Sequence, residues 1–241
     1  MYKIIPFLFL IISSCTGQIL DINQIKNDYS KGNYNEVIKS CSIGLTKIDK
    51  SDTLFKTLIK YRVGSYMRLT NYKSAIEDYK ILIEIDKNEI SNYTGISYAY
   101  WEVGDTINGL NYSEKAFLIN PKDTLTLSNL SYDFSLAKKF NKSIEYATKG
   151  LELNPDKKLK GLLLNNRGFS YLGLKQYDMA LKDINESISF FPDNSFAYYY
   201  RALVNIEIGK IEFVCDDLFK SKQLGGNNMT DSLIGKYCKK K

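Results

Sequence analysis

The 241-residue chain contains no histidine. Histidine is the commonest general base and metal ligand, so its absence excludes Ser-His-Asp and Cys-His catalytic arrangements and zinc sites of the HExxH type. The cysteines at 41, 215 and 238 do not have the spacing of zinc ligands. We therefore expect no metal, no cofactor and no catalytic residues. An enzyme that uses only carboxylates, such as a glycosidase, is a remote alternative.

Proline, long apolar runs and dense charge are also scarce. Four prolines and 15 glycines leave no room for a long disordered tail. Beyond residue 14, no apolar stretch approaches the roughly 20 residues that span a bilayer. The net charge of +6 is spread along the chain, apart from one group at 236–241. Nucleic-acid binders usually carry a denser basic stripe, so we expect no nucleic-acid partner. The basic end is interpreted as solvated, with weak attraction to anionic lipids as the alternative.

The first 14 residues have the composition of an export signal. Lys3 precedes a nine-residue apolar stretch at 4–12, and two serines follow, which is the order found in secretory signals. Residues 12–15 (ISSC) resemble the lipobox of bacterial lipoproteins. The resemblance implies that Cys15 becomes the lipidated first residue of an envelope protein held at a membrane. The alternative is ordinary cleavage near Gly17 or Gln18, which would release a soluble periplasmic or secreted protein.

One seven-residue phrase recurs six times after the signal. It combines a polar or glycine-containing turn, usually an aromatic residue, and a small residue, as in residues 70–76 (TNYKSAI) and 175–181 (KQYDMAL). The small residue permits two antiparallel helices to approach closely. Its positions are separated by 38, 34, 34, 37 and 34 residues, and they are Val37, Ala75, Gly109, Ser143, Ala180 and Val214. A 34-residue period with this phrase resembles the tetratricopeptide repeat.

This resemblance implies an all-α fold, a right-handed α-solenoid of about six helix pairs with a C-terminal capping helix near 229–239. The expected repeats, within a single domain at 15–241, are 18–51, 56–89, 90–123, 124–157, 161–194 and 195–228. The additional residues near 52–55 and 158–160 are interpreted as lengthened turns between repeats, with slight extra helix as the alternative. Prolines at 121, 155 and 192 should end second helices, and Asp123, Asp156 and Asp193 or Asn194 should cap the helices that follow.

Within this arrangement, the cysteines differ in their expected roles. Cys41 lies on the inner face of a second helix, where a plain buried thiol is expected. Cys215 lies in the second helix of repeat six, and Cys238 ends the capping helix, which should fold back on that repeat. A Cys215–Cys238 disulfide is therefore possible, and it would contribute on the order of 3 kcal/mol.

The family resemblance also implies a binding surface, because first helices line the concave face on which family members hold peptides or helices. The residues that this frame places there are Lys60, Tyr61, Met67, Arg68, Tyr98, Trp101, Glu102, Asn129, Tyr132, Asn165, Asn166, Phe169, Tyr199, Tyr200 and Glu207. Asn129 and Asn166 occupy equivalent positions and could bind a peptide backbone. The alternative is that the asparagines satisfy neighbouring backbone groups and that the aromatic residues pack between repeats. The family's carboxylate clamp is not expected, because Gly64 replaces the asparagine that would accompany Lys60.

These observations favour a non-catalytic scaffold outside the cytoplasm that binds a protein or peptide on its concave face. The alternative is a structural component of an envelope assembly that uses its convex face or edge. Catalysis is disfavoured because Glu102 and Glu207 lie far apart in the repeat array, with no acidic companion expected near them.

Overall fold

The computed structural model describes residues 21–226 and 228–238, so the predicted signal at 1–14 and the predicted lipidation site Cys15 lie outside the described residues. No helix within those described stretches combines the length and the apolar character needed to cross a membrane. The chain separates into two compact units, Met1–Lys87 and Asn88–Lys241. The division lies close to the boundary between predicted repeats two and three.

From residue 21 onward, the first unit contains two helix pairs. Helices α1 (Ile22–Ser30) and α2 (Tyr34–Leu45) form repeat one, and α3 (Thr53–Arg68) and α4 (Tyr72–Ile85) form repeat two. Two apolar clusters make up its core, one built on Ile25, Val37, Cys41 and Leu58 and the other on Phe55, Ile59, Val63, Ala75 and Leu82.

The second unit contains four further pairs and a final helix. Its helices are α5 (Ile90–Glu102), α6 (Thr106–Ile119), α7 (Thr124–Leu136), α8 (Phe140–Glu152), α9 (Lys157–Gly173), α10 (Tyr177–Phe190), α11 (Ser195–Glu207), α12 (Val214–Gln223) and α13 (Asn228–Tyr237). A short 3-10 turn at Ile211–Phe213 precedes α12. The predicted all-α, tetratricopeptide-like solenoid fold of six sequential helix pairs and a C-terminal helix is confirmed across the described residues.

The predicted helix caps are present. The side chains of Asp123, Asp156 and Asn194 accept hydrogen bonds from backbone N–H groups in the first turns of α7, α9 and α11. Each cap satisfies a donor that has no partner within its helix. The preceding helices α6, α8 and α10 end two or three residues before a proline, as the sequence predicts.

A left-handed backbone residue ends the first helix in all six repeats. The position lies five residues before the small residue of the phrase and is occupied by Gly32, Thr70, Gly104, Lys138, Lys175 and Gly209, with φ between 55° and 81°. Glycine adopts this conformation without strain, whereas threonine and lysine adopt it at a cost. The turn geometry is therefore constant although the residue type is not.

The small residues of the phrase are all buried, five of them at no more than 1% exposure. Ala75, Ala180 and Val214 lie within apolar clusters of their own repeats. Ser143 accepts a hydrogen bond from Ser170 Oγ across 2.6 Å, which connects repeats four and five. Different residue types at this position therefore all permit the two helices of a repeat to approach closely.

The additional residues between repeats extend helices rather than turns. Helices α3 and α9 contain 16 and 17 residues, whereas α5, α7 and α11 contain 13 each. The segments 53–55 and 158–160 form the first turns of α3 and α9. The additional residues therefore form extra helix, which is the alternative to lengthened turns. The cap at Asp156 is the predicted one, whereas the cap at Asp52 is not predicted.

Repeats two, five and six each contain the same buried ion pair between an arginine of the first helix and an aspartate 16 residues later. The pairs are Arg62–Asp78, Arg167–Asp183 and Arg201–Asp217, each made by two hydrogen bonds of 2.6–2.9 Å. In every case the third guanidinium nitrogen donates to the second helix of the preceding repeat, at Ser42, Thr148 and Asn185. The aspartate hydrogen bonds raise the pKa of all three arginines.

Repeats three and four carry aromatic stacks in place of these pairs. The arginine position holds Ile96 or Leu130, and the aspartate position holds Tyr112 or Tyr146. Tyr112 stacks on Tyr100 with ring centres 5.5 Å apart, and Tyr146 stacks on Phe134 at 5.2 Å. In these two neighbouring repeats, apolar and aromatic contacts therefore take the positions at which repeats two, five and six have charged pairs.

The final helix covers the end of the second unit. Leu233, Ile234 and Tyr237 pack against the buried cluster that includes Val214 and Leu218. Cys215 and Cys238 form a disulfide, with Cα atoms 5.5 Å apart, at the pair that the sequence marks as a possible bridge.

Cys41 is a free, buried thiol. Burial raises its pKa to about 12, so the thiol is protonated and unreactive at neutral pH. This agrees with the packing role expected from its position.

Candidate binding site

Helices α5, α6 and α7 of the second unit enclose a pocket of about 370 Å³, the α5–α7 pocket. Four residues expected to contact a partner, Tyr98, Trp101, Asn129 and Tyr132, line it together with Glu102. Its remaining lining residues are Thr94, Ser97, Ser113, Asp133 and Leu136. The structure thus brings one compact group of the predicted contact residues together in repeats three and four.

Gly109 makes room for the tryptophan in this pocket. It fills the small-residue slot of repeat three, and a Cβ atom there would come within 2.8 Å of the Trp101 ring. Any larger residue at this position would displace the indole. The residue that permits the helices of repeat three to approach therefore also sets the shape of the pocket wall.

A buried carboxylate lies among the pocket residues. Asp133 is only 6% exposed, and its Oδ2 atom accepts a hydrogen bond from the Ser113 hydroxyl. The Ser97 hydroxyl lies 3.4 Å from the same oxygen and 2.7 Å from the carbonyl oxygen of Gly109. Asp133 is thus held by neutral donors and forms no salt bridge within the described residues.

Burial raises the pKa of Asp133 to about 6, although hydrogen bonding to Ser113, Trp101 and Ser97 opposes the shift. The buried indole nitrogen of Trp101 lowers the pKa of Asp133 but meets the geometry of a hydrogen bond with no group in the described part of the chain. The pKa of Tyr132 is also raised, by its burial and by the charges of Asp133 and Glu102. The charges of Asp133 and Glu102 therefore both raise the pKa of a tyrosine that lines the same pocket.

Sequence reasoning missed Asp133, Ser97 and Ser113. The position ten residues before the small residue of the phrase holds Ser65, Ala99, Ser170 and Val204 in repeats two, three, five and six. Among repeats two to six, only repeat four places an acid at this otherwise small, buried position, and that exception is the signal that could have identified it. The expectation that Glu102 has no acidic companion is wrong, because Asp133 lies in the same pocket.

Four other predicted contact residues are buried, which corrects their expected role. Asn165, Asn166, Tyr199 and Tyr200 are each no more than 9% exposed. The Asn166 side chain donates hydrogen bonds to the Ser128 carbonyl and the Ser131 hydroxyl, both at 3.0 Å. Asn166 therefore satisfies groups of the preceding repeat, which is the alternative that the sequence left open.

The predicted aromatic contacts of repeats five and six pack between repeats. Phe169 stacks on Tyr200 with ring centres 4.4 Å apart, and Tyr199 and Tyr200 belong to the apolar core of the second unit. Their rings contribute to cohesion of the stack instead of forming a recognition surface. Glu207, exposed at the end of α11, lies within 3.4 Å of the Tyr177 hydroxyl.

The predicted contact residues of the first unit lie on α3. Lys60 and Arg68 are exposed, whereas Tyr61 and Met67 are half-buried. Tyr61 packs edge to face against Tyr29 at 5.4 Å. Gly64 also approaches Tyr29, whose hydroxyl would lie 2.7 Å from a Cβ atom at that position, so the slot of the clamp asparagine is closed by tyrosine. In the described residues, no group of three or more cysteine or acidic side chains could hold a metal ion.

Comparison with known proteins agrees with this architecture. The family model described as a tetratricopeptide repeat matches residues 163–194, which form most of α9 and all of α10. The chain resembles a solved tetratricopeptide repeat protein from Parabacteroides merdae with a TM-score of 0.71 at 16% identity, covering 90% of this chain and 97% of the other. At these identities the likeness establishes the fold.

Two further similar proteins are longer than this chain. A chain of the APC/C hetero-tetramer Cut9–Hcn1 superposes with a TM-score of 0.68 at 16% identity, over 88% of this chain and 41% of its own. RNA polymerase II-associated protein 3 of Xenopus laevis is 24% identical over 157 residues, which are 65% of this chain and 22% of the relative. This chain therefore spans less than half the length of either.

Proposed function

We infer that this chain, a tetratricopeptide repeat protein, is a non-catalytic scaffold that binds a protein or peptide partner at the α5–α7 pocket. The observation that carries the inference is the convergence of Tyr98, Trp101, Asn129 and Tyr132 on one pocket. Aromatic and asparagine side chains combine contact area, rigidity and hydrogen bonding, which is why they are frequent in recognition surfaces. The similarity to a chain of the Cut9–Hcn1 hetero-tetramer supports a role in holding another protein.

Site-specific photo-crosslinking tests this function. A photoreactive phenylalanine analogue replaces Tyr98, which is 52% exposed in the pocket, and in a matched control it replaces Phe219, which is 51% exposed on α12. We expect a defined protein adduct from position 98 in native membranes and none from position 219. Adducts of equal yield and identity at both positions would refute a binding site in this pocket.

Alanine variants supply a second measurement. Trp101→Ala and Tyr132→Ala each remove an aromatic wall of the pocket, so they should abolish the adduct formed from position 98. Phe219→Ala leaves the pocket intact and should not change the yield. Circular dichroism and thermal unfolding of each variant distinguish loss of binding from loss of folding.

We propose that the scaffold is exported and anchored to a bacterial envelope membrane through lipidated Cys15. The order of residues in 1–15 supports this proposal, as does the Cys215–Cys238 disulfide, because such bonds persist mainly in oxidising compartments. Cys15→Ser should release the protein from membranes, and mass spectrometry of its N-terminus should show cysteine with attached acyl chains. An unmodified N-terminus near residue 17 would indicate a soluble periplasmic or secreted protein.

One observation favours a second, catalytic candidate function. Two carboxylates share the pocket, and the Asp133 pKa of about 6 lies in the range of a general acid or base. A panel of chromogenic glycosides tests it, with Glu102→Gln and Asp133→Asn as variants. Turnover that both substitutions abolish would establish catalysis, whereas turnover that neither substitution affects would arise elsewhere.

A further inference from the structure

The α5–α7 pocket is acidic in a chain that is basic overall. The whole sequence has 33 lysine and arginine residues against 27 aspartate and glutamate residues. Among the ten residues that line the pocket there are two carboxylates, Glu102 and Asp133, and no basic side chain. A ligand that enters this space therefore meets negative charge only.

Two lysines of these repeats are engaged outside the pocket. Lys115 lies over the Tyr112 ring at 4.6 Å and Lys149 over the Tyr146 ring at 5.0 Å. Lys149 is also paired with Glu145 at 2.6 Å. The rings over which these lysines lie do not line the pocket. Asp133 also forms no salt bridge within the described residues, so no lysine or arginine there neutralises its charge.

The aromatic lining is suited to the same class of ligand. Tyr98, Trp101 and Tyr132 present three rings to one pocket, and the face of an aromatic ring attracts a cation. An anionic group would be repelled by both carboxylates, and an apolar group would leave Asp133 without compensation. A cation satisfies the rings and the carboxylates together.

We propose that the α5–α7 pocket receives the positively charged end of an arginine or lysine side chain presented by the protein partner. The side chain enters between α5 and α7, its charge lies against Asp133 and Glu102, and its aliphatic part packs on the aromatic walls. Arginine suits the site best, because its planar guanidinium stacks on aromatic rings and pairs with carboxylates through two hydrogen bonds. This inference rests on the proposed scaffold function and specifies the chemistry of its ligand.

Trp101 is the only tryptophan of the chain, so its fluorescence reports directly on this pocket. The full-length protein in detergent is titrated with Nα-acetyl-arginine amide and Nα-acetyl-lysine amide, whose backbone charges are blocked. Nα-acetyl-citrulline amide is the control, because it has the shape of arginine without the charge. We expect saturable changes with a dissociation constant on the order of 1 mM for the arginine probe. The citrulline probe should bind at least tenfold more weakly.

Variants connect the signal to the two carboxylates. Asp133→Asn should weaken arginine binding at least tenfold, and Glu102→Gln severalfold, because each removes one negative charge from the pocket. Glu114→Gln on α6 removes a charge that does not line the pocket and should leave the affinity within twofold. Equal affinity for citrulline and arginine, or unchanged arginine binding by Asp133→Asn, would overturn the proposal.

The two hypotheses fail in different ways. If the probes do not bind but the adduct from position 98 still depends on Trp101 and Tyr132, the scaffold function stands and the cation pocket is wrong. If arginine binds as expected but position 98 gives no adduct with a protein, the pocket recognises cations and the scaffold function is wrong.

Discussion

Repeats two to six use two different ways of joining the helices within a pair. Repeats two, five and six place an arginine and an aspartate at the joining positions, and each arginine also reaches the preceding repeat. Repeats three and four place an aliphatic residue and a stacked tyrosine there instead. In the first group the buried charges compensate one another. In the second, Asp133 is buried without a cationic partner among the described residues.

This difference separates repeats whose buried charges hold helices together from repeats that have a buried charge available to a ligand. A buried ion pair that is fully matched within the protein has no charge left for a ligand, and its value depends on both partners being present. A buried carboxylate matched only by hydroxyl and indole groups costs stability, and such groups are enriched in functional sites. Repeats three and four therefore differ from the others in the way expected of the part that binds.

The largest expected effect comes from breaking one ion pair. Asp183→Ala leaves Arg167, whose side chain is 20% exposed, as an uncompensated charge and should reduce the free energy of unfolding by about 3–5 kcal/mol. Denaturant unfolding of the purified protein measures the loss. Glu145→Ala, which breaks the exposed Lys149–Glu145 pair, is the control and should cost less than about 1 kcal/mol. Similar losses in both variants would mean that the Arg167–Asp183 pair stabilises the protein no more than an exposed ion pair does.

Converting repeat five to the other type of joining should recover most of that loss. The double variant Arg167→Leu with Asp183→Tyr introduces the residue types that repeat four has at these positions, Leu130 and Tyr146. Replacing a whole buried ion pair with apolar groups is often close to neutral, so we expect at least about 2 kcal/mol more stability than Asp183→Ala shows. A double variant no more stable than Asp183→Ala would show that repeat five cannot accept an aromatic stack.

The third prediction concerns Asp133, the carboxylate without a cationic partner. Its substitution should raise the free energy of unfolding instead of lowering it. Between about pH 4 and pH 6, folded Asp133 retains a proton that the unfolded chain loses, so its contribution to stability falls as the pH rises through this window. A shift from 3.8 to about 6 corresponds to about 3 kcal/mol above pH 6. Asp133→Asn should therefore stabilise the protein by up to about 3 kcal/mol at pH 7.5 and by nearly nothing at pH 4.

Unfolding measured at several pH values tests this prediction. The groups that lower the Asp133 pKa are Ser113, Ser97 and the Trp101 indole, which do not titrate in this range, and Glu102 is the other carboxylate of the pocket. Glu102→Gln is the control for its contribution to the pH profile. If Asp133→Asn is destabilising at pH 7.5, the carboxylate is a structural element that stabilises repeats three and four.

The smallest expected effect comes from relieving backbone strain in the turns. It should be the same in repeat four, which has an aromatic stack, and in repeat five, which has an ion pair. Lys138 and Lys175 have φ values of 57° and 59° in the turns of repeats four and five. Lys138→Gly and Lys175→Gly should each stabilise the protein by up to about 1 kcal/mol, because glycine relieves the left-handed strain while adding freedom to the unfolded chain. Thermal unfolding measures both gains, with Gly209→Ala as a variant that should destabilise. A gain in one repeat only would show that turn strain depends on the type of joining.

The fold could be predicted because repetition makes a weak local signal strong. One small residue beside a turn indicates little, but the same arrangement at Ala75, Gly109 and Ser143 fixes the period. Proline and cap residues such as Asp123 then locate helix boundaries. The lengths of α3 and α9 could be predicted only in part. Asp156 is identified as a cap from its position, but Asp52 is not, and the additional residues have no feature that distinguishes a turn from the first turn of a helix.

The site could be predicted only in part, because residues at equivalent repeat positions differ in their burial and in their contacts. Asn129 and Asn166 occupy the same repeat position, yet Asn129 lines the pocket and Asn166 is buried against Ser128 and Ser131. Which outcome occurs depends on the neighbouring helices, where repeat four has Asp133 and repeat five has Ser170 at the matching position. A repeat frame locates a residue along a helix but does not show what fills the adjacent space.

The helix α13 has a consequence for the length of the array. A stack in which each unit covers the previous one can in principle add further units. A contact between unlike faces of two copies does not close on itself, so such a contact can be repeated from copy to copy. Helix α13 acts as a chain terminator, because Leu233 and Ile234 occupy the apolar face that another copy could cover. The Cys215–Cys238 bond makes that termination permanent in an oxidising compartment. If that bond is reduced, α13 is held on this end by its non-covalent contacts alone.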